Sequence, residues 1–557
     1  MQQKKRMPVG VDDFKKVREQ YYFVDKTKFI QELIDGHSDV TLITRPRRFG
    51  KTLTMSMLYY FFTNENAEEN RKLFDGTEIA EAGEKYMAEQ GTRPVVFLTL
   101  KDVKMDTWDG CQKKMGLALA SLYDRFGALA TSEKLSGYQK QIFAEILNRK
   151  AGAEVLEDTL QHLSGCMEAH YGQKTILLID EYDAPLQSAW EHGYYEKAIG
   201  FFRNFLGAAL KTNPSLEFAV LTGVLRISKE SIFSALNNLA VSSVIDGSYA
   251  DVFGFTPAEV SKMAKDLGAS DKVQEIHEWY DGYNFSGYEI YNPWSVVNYF
   301  QSGCKAKPYW VNTSGNGILA DMLAYMDEEQ ERNLYELLQM RTIGIQVEES
   351  LIYDDIFQNK AALYTLLLTT GYLKAVPGVF DEEDNDYCMV GIPNREVRSV
   401  FAKEIVNRLQ RSNQRLQVVV FHENLLAGKS EPFAKALALY LETIASFHDT
   451  ANRENFYHGF MLGMLALLVP RYRVESNRES GYGRFDLAIF PKNKGQAGVL
   501  MEFKVAKTEA ELPKEADAAL QQIEDMDYLA EFREQGIENV WKYGVAFCGK
   551  KLKLVCG

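Results

Sequence analysis

Arg45-Pro46-Arg47-Arg48-Phe49-Gly50-Lys51-Thr52 follows the apolar run Val40-Thr41-Leu42-Ile43 and precedes a helical pattern. A strand, a tight loop ending in Gly-Lys-Thr, and a helix together hold nucleotide phosphates. Backbone N–H groups at the helix start converge on the loop, and the helix dipole favours negative charge there. In that chemistry the loop residues Arg48, Phe49 and Gly50 surround the phosphates of ATP. Lys51 reaches the β- and γ-phosphates, and the Thr52 hydroxyl ligates Mg²⁺. One element departs from the usual pattern, which opens on glycine; here that position is Arg45. Arg47 and Arg48 are open between phosphate, substrate, a neighbouring subunit and plain solvation.

Such a loop needs an acidic partner, and Thr175-Ile176-Leu177-Leu178-Ile179-Asp180-Glu181 supplies one. A continuous apolar run ending in two carboxylates reads as a buried parallel strand with its acids at the edge where α/β sheets bind ligands. Asp180 suits the Mg²⁺ side of a nucleotide, held directly or through water, and Glu181 suits the base that polarises an attacking water. Phe218-Ala219-Val220-Leu221-Thr222-Gly223 is a further strand with a polar residue near its end, followed by Arg226, Ser228 and Lys229. Thr222 fits a polar sensor or a turn cap, and Arg226 a γ-phosphate contact or a solvated side chain.

A second constellation lies near the end of the chain. Gly483-Arg484-Phe485-Asp486 runs into Leu487-Ala488-Ile489-Phe490, and a turn at Lys492-Asn493-Lys494-Gly495 leads to Gly498-Val499-Leu500-Met501-Glu502-Phe503-Lys504-Val505. Strand side chains alternate with a period of two, so Glu502 and Lys504 share a face and Phe503 points away. Two neighbouring strands would present Asp486, Glu502 and Lys504 together. That set suits metal-assisted hydrolysis of phosphodiesters: Asp486 and Glu502 would bind Mg²⁺, and Lys504 would orient water or stabilise developing charge. A cross-strand salt-bridged face would use the same residues. Downstream, Gln521 and Gln522 lie on a helical pattern from Ala516 to Ile523; upstream, Glu454 and Glu479 compete as a further ligand, with Tyr457 and His458 beside Glu454.

The elements that position these groups divide the chain. At 557 residues it exceeds one ordinary core, and 46% hydrophobic with 25% charged residues is the composition of a soluble globular protein. The alternation of apolar runs (including Arg93 to Leu100) with helical stretches (Thr27 to Ile34, Trp108 to Tyr171, Tyr194 to Leu210) predicts an α/β parallel sheet over residues 1–255. From Thr256-Pro257 helical patterns dominate, predicting a helical lid over 256–340. A helix, turn and strand from Tyr364 to Asn394 suggest a winged-helix-like region over 341–415, and an α/β domain over 416–557 carries the second constellation. The aromatic pieces Trp279 to Phe285, Tyr291 to Ser295 and Tyr309 to Thr313 read as loops pinned to a core, with base stacking as the alternative.

The net charge of −14 disfavours broad non-specific nucleic-acid binding without excluding a local basic groove. Six scattered cysteines show no metal spacing and read as reduced thiols. The basic start lacks an apolar signal core, and the longest apolar stretch, near Phe460 to Val469, is too short to span a bilayer. The expectation is a cytoplasmic chain with no membrane partner.

Taken together, Arg45 to Thr52, Leu178-Ile179-Asp180-Glu181-Tyr182-Asp183 and Leu221-Thr222-Gly223 resemble the bacterial AAA-ATPase-like family, which replaces the first loop glycine in this same way. Tyr291-Asn292-Pro293-Trp294-Ser295 is similar to a motif of its helical lid. Tyr457-His458-Gly459-Phe460, Gly483 to Asp486 and Glu502-Phe503-Lys504 resemble the PD-(D/E)XK nuclease domain often fused to it, a restriction-endonuclease-like α/β fold. The naming proline is absent, with Phe485 before Asp486. The resemblance implies ATP and Mg²⁺ as cofactors, nucleic acid (DNA first) as partner, an oligomeric ring in some members, and a role in defence or mobile elements by analogy. A nucleotide-dependent switch whose end domain binds nucleic acid or a protein without cleavage is the alternative.

Overall fold

The computed structural model describes residues 6–226, 239–245, 248–310, 328–338, 340–348, 359–376, 387–401, 415–444, 454–465, 468, 472–480, 483–493, 495–526 and 528–557. The chain forms two compact units, one of residues 1–310 with 344–394 and one of residues 311–343 with 395–557.

The first unit is organised by a five-stranded sheet of order β2-β3-β4-β1-β5. Its strands are β1 (Val40–Thr44), β2 (Val95–Thr99), β3 (Thr175–Asp180), β4 (Leu216–Gly223) and β5 (Leu239–Ser242). Every pairing is parallel, and β1 and β3 are buried along their whole length. Unbroken apolar runs are what a parallel sheet covered on both faces requires. Helix α1 (Lys51–Phe62) buries Met55, Leu58 and Phe61 against Ile43, Ile176, Leu178 and Val220. Helices α2 (Thr159–Tyr171), α3 (Ala184–Glu191) and α4 (Tyr195–Leu210) are among the others of the α/β part. β4 lies between β1 and β3, so its end separates the phosphate-loop strand from the strand bearing the acids.

Beyond β5 the strand-helix alternation gives way to helices and short hairpins. Thr256 and Glu259 form a reciprocal capping box, with Pro257 at the first turn, and start α5 (Pro257–Asp266). Then come α6 (Val273–Tyr280), a hairpin of β6 (Tyr283–Phe285) and β7 (Tyr288–Ile290), and α7 (Pro293–Gln301). The aromatic pieces serve as core: Tyr280, Tyr283, Phe285, Tyr291 and Trp310 are all buried. Helix α8 (Lys360–Thr370) precedes two strands of a small sheet of order β8-β10-β9, made of β8 (Ile343–Gln346), β9 (Lys374–Ala375) and β10 (Tyr387–Gly391).

The second unit carries a mixed sheet of order β11-β12-β13-β14-β15. Its strands are β11 (Tyr472–Ser480), β12 (Gly483–Pro491), β13 (Gly498–Val505), β14 (Val540–Cys548) and β15 (Lys551–Cys556). β13 and β14 are parallel, and the other neighbours are antiparallel. Val499, Met501 and Phe503 pack with residues of α9 (Arg415–Leu426), α10 (Ser430–Ile444) and α11 (Glu454–Leu465). Leu500, Ala488 and Phe490 pack instead with Ile523 of α12 (Leu512–Asp525) and with Phe532. The two sets of β13 residues alternate, so the strand is covered on both faces.

Three strands of this sheet went unread in the sequence. β11 is charged and polar along Arg473 to Ser480, which hides its strand character, and β14 and β15 are interrupted by Lys542, Gly544 and Lys553. Ser228, Lys229, residues 311–313 and the polar run at 411–414 lie outside the described residues. All six cysteines are free, and no helix among the described residues is long and apolar enough to cross a membrane.

Candidate functional site

The phosphate loop joins the end of β1 to the start of α1. Arg48 (φ 72°) and Gly50 (φ 84°) are both left-handed, which folds the loop tightly over the helix start. Across the sheet edge Glu181 is also left-handed, with φ 52°. Such non-glycine residues cost on the order of 1–3 kcal/mol and persist where surrounding structure fixes them. The buried Lys51 amine donates to the carbonyls of Arg45 (2.8 Å) and Pro46 (2.9 Å). Burial lowers its pKa, while Glu181, Asp183 and Asp180 act in the opposite sense.

Asp180 is fully buried and gathers three hydroxyls. Thr52 donates to its Oδ2 at 2.8 Å, Thr222 to its Oδ1 at 2.5 Å, and Thr99 approaches Oδ2 at 3.4 Å. Strand order explains the convergence: β2 and β4 flank β3, and α1 begins beside them. The Glu181 N–H points at the Thr222 hydroxyl (3.4 Å), and its side chain is only partly buried. A buried carboxylate beside the first-turn hydroxyl and the loop lysine fits the Mg²⁺ of a nucleotide.

The remaining loop residues take separate places. The Phe49 ring is buried against Tyr283 (5.0 Å) and Phe285 (5.4 Å), leaving only its backbone to face a phosphate. The exposed Arg48 guanidinium stacks over Trp294 at 4.3 Å, and Arg47 donates to Gln187 on α3 at 2.7 Å. Arg45 turns away from the loop into the protein. It is fully buried and donates to the carbonyls of Thr44 and Ser242 and to the Ser242 hydroxyl, each at 2.9 Å.

Sequence reasoning did not assign Asp183. Its buried Oδ2 accepts the N–H groups of Val224 (2.8 Å) and Leu225 (2.9 Å), and the Tyr182 hydroxyl donates to the Leu225 carbonyl at 2.6 Å. Burial pushes the Asp183 carboxyl up, and those N–H groups pull it back. Two residues after the acids thus clamp the segment that ends in Arg226, and their signal was adjacency to Asp180-Glu181.

In the second unit β12 and β13 run antiparallel with Leu487 opposite Met501, so Asp486 and Glu502 lie one step further along the same register. Asp486 Oδ2 accepts the Phe503 N–H at 2.7 Å, and the Asp486 N–H points at Glu502 Oε2 at 3.4 Å. Glu502 is buried and its Oε1 accepts from the Gln522 amide, which also reaches the Tyr528 hydroxyl at 3.3 Å. Burial raises the Asp486 carboxyl, with the Phe503 N–H and the charge of Lys504 opposing. Lys504, two residues beyond Glu502, is partly buried on the same strand face.

Two neighbours gain definite places. His458 Nε2 lies 2.5 Å from the Asp486 carbonyl; a carbonyl only accepts, so this nitrogen carries the proton. Gln522 rather than Gln521 faces the acids; Gln521 is exposed and bonds Asp525 at 2.8 Å. The side chains of Glu454 and Glu479 lie outside the described set. Two converging carboxylates, one buried with an amide holding its far oxygen, fit a hard divalent cation such as Mg²⁺.

Two family models match the chain. Residues 8–233 match the family model described as a predicted AAA-ATPase, and residues 452–556 match that of the PD-(D/E)XK nuclease superfamily. A protein of Azotobacter chroococcum mcd 1, described as an uncharacterized protein in the vnfD 5′ region, is 26% identical over 557 residues, covering 98% of this chain and 96% of its own. The chain therefore joins an AAA-ATPase-like domain to a C-terminal domain of the PD-(D/E)XK nuclease superfamily.

Proposed function

We propose that the first unit binds and hydrolyses ATP, that the C-terminal domain cleaves nucleic-acid phosphodiesters, and that nucleotide state licenses the cut. The observation that carries the reading is the meeting of Asp486 with buried Glu502 at adjacent strand positions, with Lys504 on the Glu502 face. In the first site Thr52 and Asp180 would hold Mg²⁺, and Lys51 would leave its two loop carbonyls for the phosphates. Glu181 would take the proton of the attacking water, Thr222 would fix the Asp180 carboxylate, and Arg226 would face the γ-phosphate. In the second, Asp486 and Glu502 would hold Mg²⁺, which when bound lowers the pKa of water and offsets phosphate charge. Gln522 orients Glu502, and Lys504 stabilises the developing charge. DNA is the proposed substrate, in the cytoplasm, with assembly into homo-oligomers and a role in defence or mobile elements.

The test is cleavage of single- and double-stranded DNA with Mg²⁺, with and without ATP, by wild type and Lys51→Ala. Removing the lysine should weaken nucleotide binding by about 10²-fold, as for loss of a charged phosphate contact. Cleavage should then cease to respond to ATP. Unchanged ATP dependence in Lys51→Ala would end the coupling proposal. A chain that binds DNA and Mg²⁺ without cutting would favour the switch reading.

The clamp at Asp183 gives a second measurement. Asp183→Ala strips the acceptor from two backbone N–H groups, a loss of roughly 1–3 kcal/mol at that segment. Because the clamp sets where Arg226 begins, ATP turnover should fall about tenfold while the affinity for a non-hydrolysable ATP analogue changes less than threefold. Equal loss of both would make the clamp a general folding element.

A further inference from the structure

We infer that His277, Asp281 and Glu289 form a binding site for a divalent cation of the zinc class, separate from both sites above. His277 lies on α6, Asp281 just beyond its end, and Glu289 on β7. One ligand atom from each falls within 4.8 Å of the others. His277 Nδ1 is 3.0 Å from Asp281 Oδ2 and 3.7 Å from Glu289 Oε1. Around a tetrahedral zinc ion with bonds of ~2.1 Å, neighbouring ligand atoms stand ~3.4 Å apart, a value that these two spacings bracket.

The independent observation is Asp281. Its side chain is only 7% exposed, and its buried Oδ1 has no hydrogen-bond partner. Leaving a buried carboxylate oxygen unpaired is costly unless a cation completes it. The backbone holds that carboxylate rigidly. The Asn394 amide donates to the Asp281 carbonyl at 2.5 Å. Gly282 has φ 96°, and a Cβ there would stand 2.0 Å from the Pro393 carbonyl oxygen, so only glycine can make the turn.

His277 and Glu289 are each about half exposed, at 49% and 51%, which leaves a path for an ion. Nδ1 of His277 also lies 3.1 Å from the Tyr291 hydroxyl. An ion on Nδ1 would take the lone pair that this hydroxyl otherwise engages, so the two compete for it. Lys374 is the local cation, and burial lowers its pKa. A nitrogen with two carboxylate oxygens and an open position matches zinc better than Mg²⁺, which prefers oxygen alone. Occupancy would staple α6 to the β6–β7 hairpin, whose Tyr283 and Phe285 pack on Phe49 of the phosphate loop.

The test is equilibrium dialysis of the metal-stripped full chain against Zn²⁺ in excess Mg²⁺, read by elemental analysis. The chain carries Asp486→Ala throughout, so that the nuclease-like acids cannot contribute. About one equivalent of zinc should be retained, and it should be lost in His277→Ala and in Glu289→Gln. Both replace half-exposed side chains, so they decide the matter even if Asp281→Asn fails to fold. Zinc should also raise the melting temperature of the parent and of neither variant. Unchanged retention in both variants, or none in the parent, overturns the site; the second result would mean that the acids serve only Lys374. Neither result depends on ATP hydrolysis or DNA cleavage.

Discussion

Asp486→Ala is expected to lower Mg²⁺-dependent phosphodiester cleavage by on the order of 10³-fold, the loss of about 4 kcal/mol of transition-state stabilisation. The carboxylate is fixed at both ends: its Oδ2 takes the Phe503 N–H, and its own backbone N–H points at Glu502. Removing it leaves Glu502 as the sole assigned carboxylate and deletes half of the proposed metal clamp. The main chain should survive, because His458 bonds the Asp486 carbonyl rather than the side chain. Alanine does orphan the Phe503 N–H, so Asp486→Asn is the sharper companion. The amide oxygen can still accept that N–H, while the negative charge is gone. Single-turnover cleavage should fall comparably in both variants, with the asparagine protein melting within a few degrees of wild type. Gln522→Ala should be milder, about 10- to 100-fold, since it orients Glu502 without holding the metal. Wild-type cleavage by either Asp486 variant would remove the nuclease assignment.

Both candidate sites stand out in the sequence for the same physical reason. Val40 to Thr44 and Thr175 to Asp180 are fully buried parallel strands, so their composition is unbroken and their polar ends stand out. Leu500, Glu502 and Lys504 share a face by alternation alone, and the short turn to the preceding strand brings Asp486 beside them. What escaped depends on contacts that sequence spacing does not encode. Asp183 looks like one more acid after Asp180-Glu181 until its carboxylate meets Val224 and Leu225, some forty residues on. Gln521 and Gln522 are indistinguishable in composition, and only the helix's rotation puts one on Glu502 and the other in solvent. His277, Asp281 and Glu289 converge because a glycine turn and a hairpin fold the chain back on a helix end. The aromatic residues around them are core, as their pattern indicated, and nothing in that pattern marks the acids between them.

Arg45→Gly, which restores the common first residue of a phosphate loop, is expected to destabilise the first unit by roughly 3–5 kcal/mol. The structure turns Arg45 away from the phosphates. Its backbone N–H continues the sheet by donating to the Gly223 carbonyl at 3.2 Å. Its guanidinium reaches the Ser242 carbonyl and hydroxyl at 2.9 Å, fastening the end of β1 to β5. The guanidinium also lies over Phe285 at 5.1 Å and Phe253 at 5.5 Å. Burial lowers its pKa to about 9, still above neutral pH, so the charge is retained inside the protein and is compensated by carbonyl dipoles and ring faces. Glycine would leave a cavity and remove the guanidinium from the Thr44 and Ser242 carbonyls and the Ser242 hydroxyl. Lysine should rescue little, because one ammonium cannot span the carbonyl and the hydroxyl as a planar fork does. The check is calorimetry of the full chain, following the melting transition that Mg-ATP raises. That transition should fall sharply in Arg45→Gly and Arg45→Lys, with cleavage by the C-terminal domain retained below it. An Arg45→Gly protein as stable as wild type with faster ATP turnover would return Arg45 to the phosphate site.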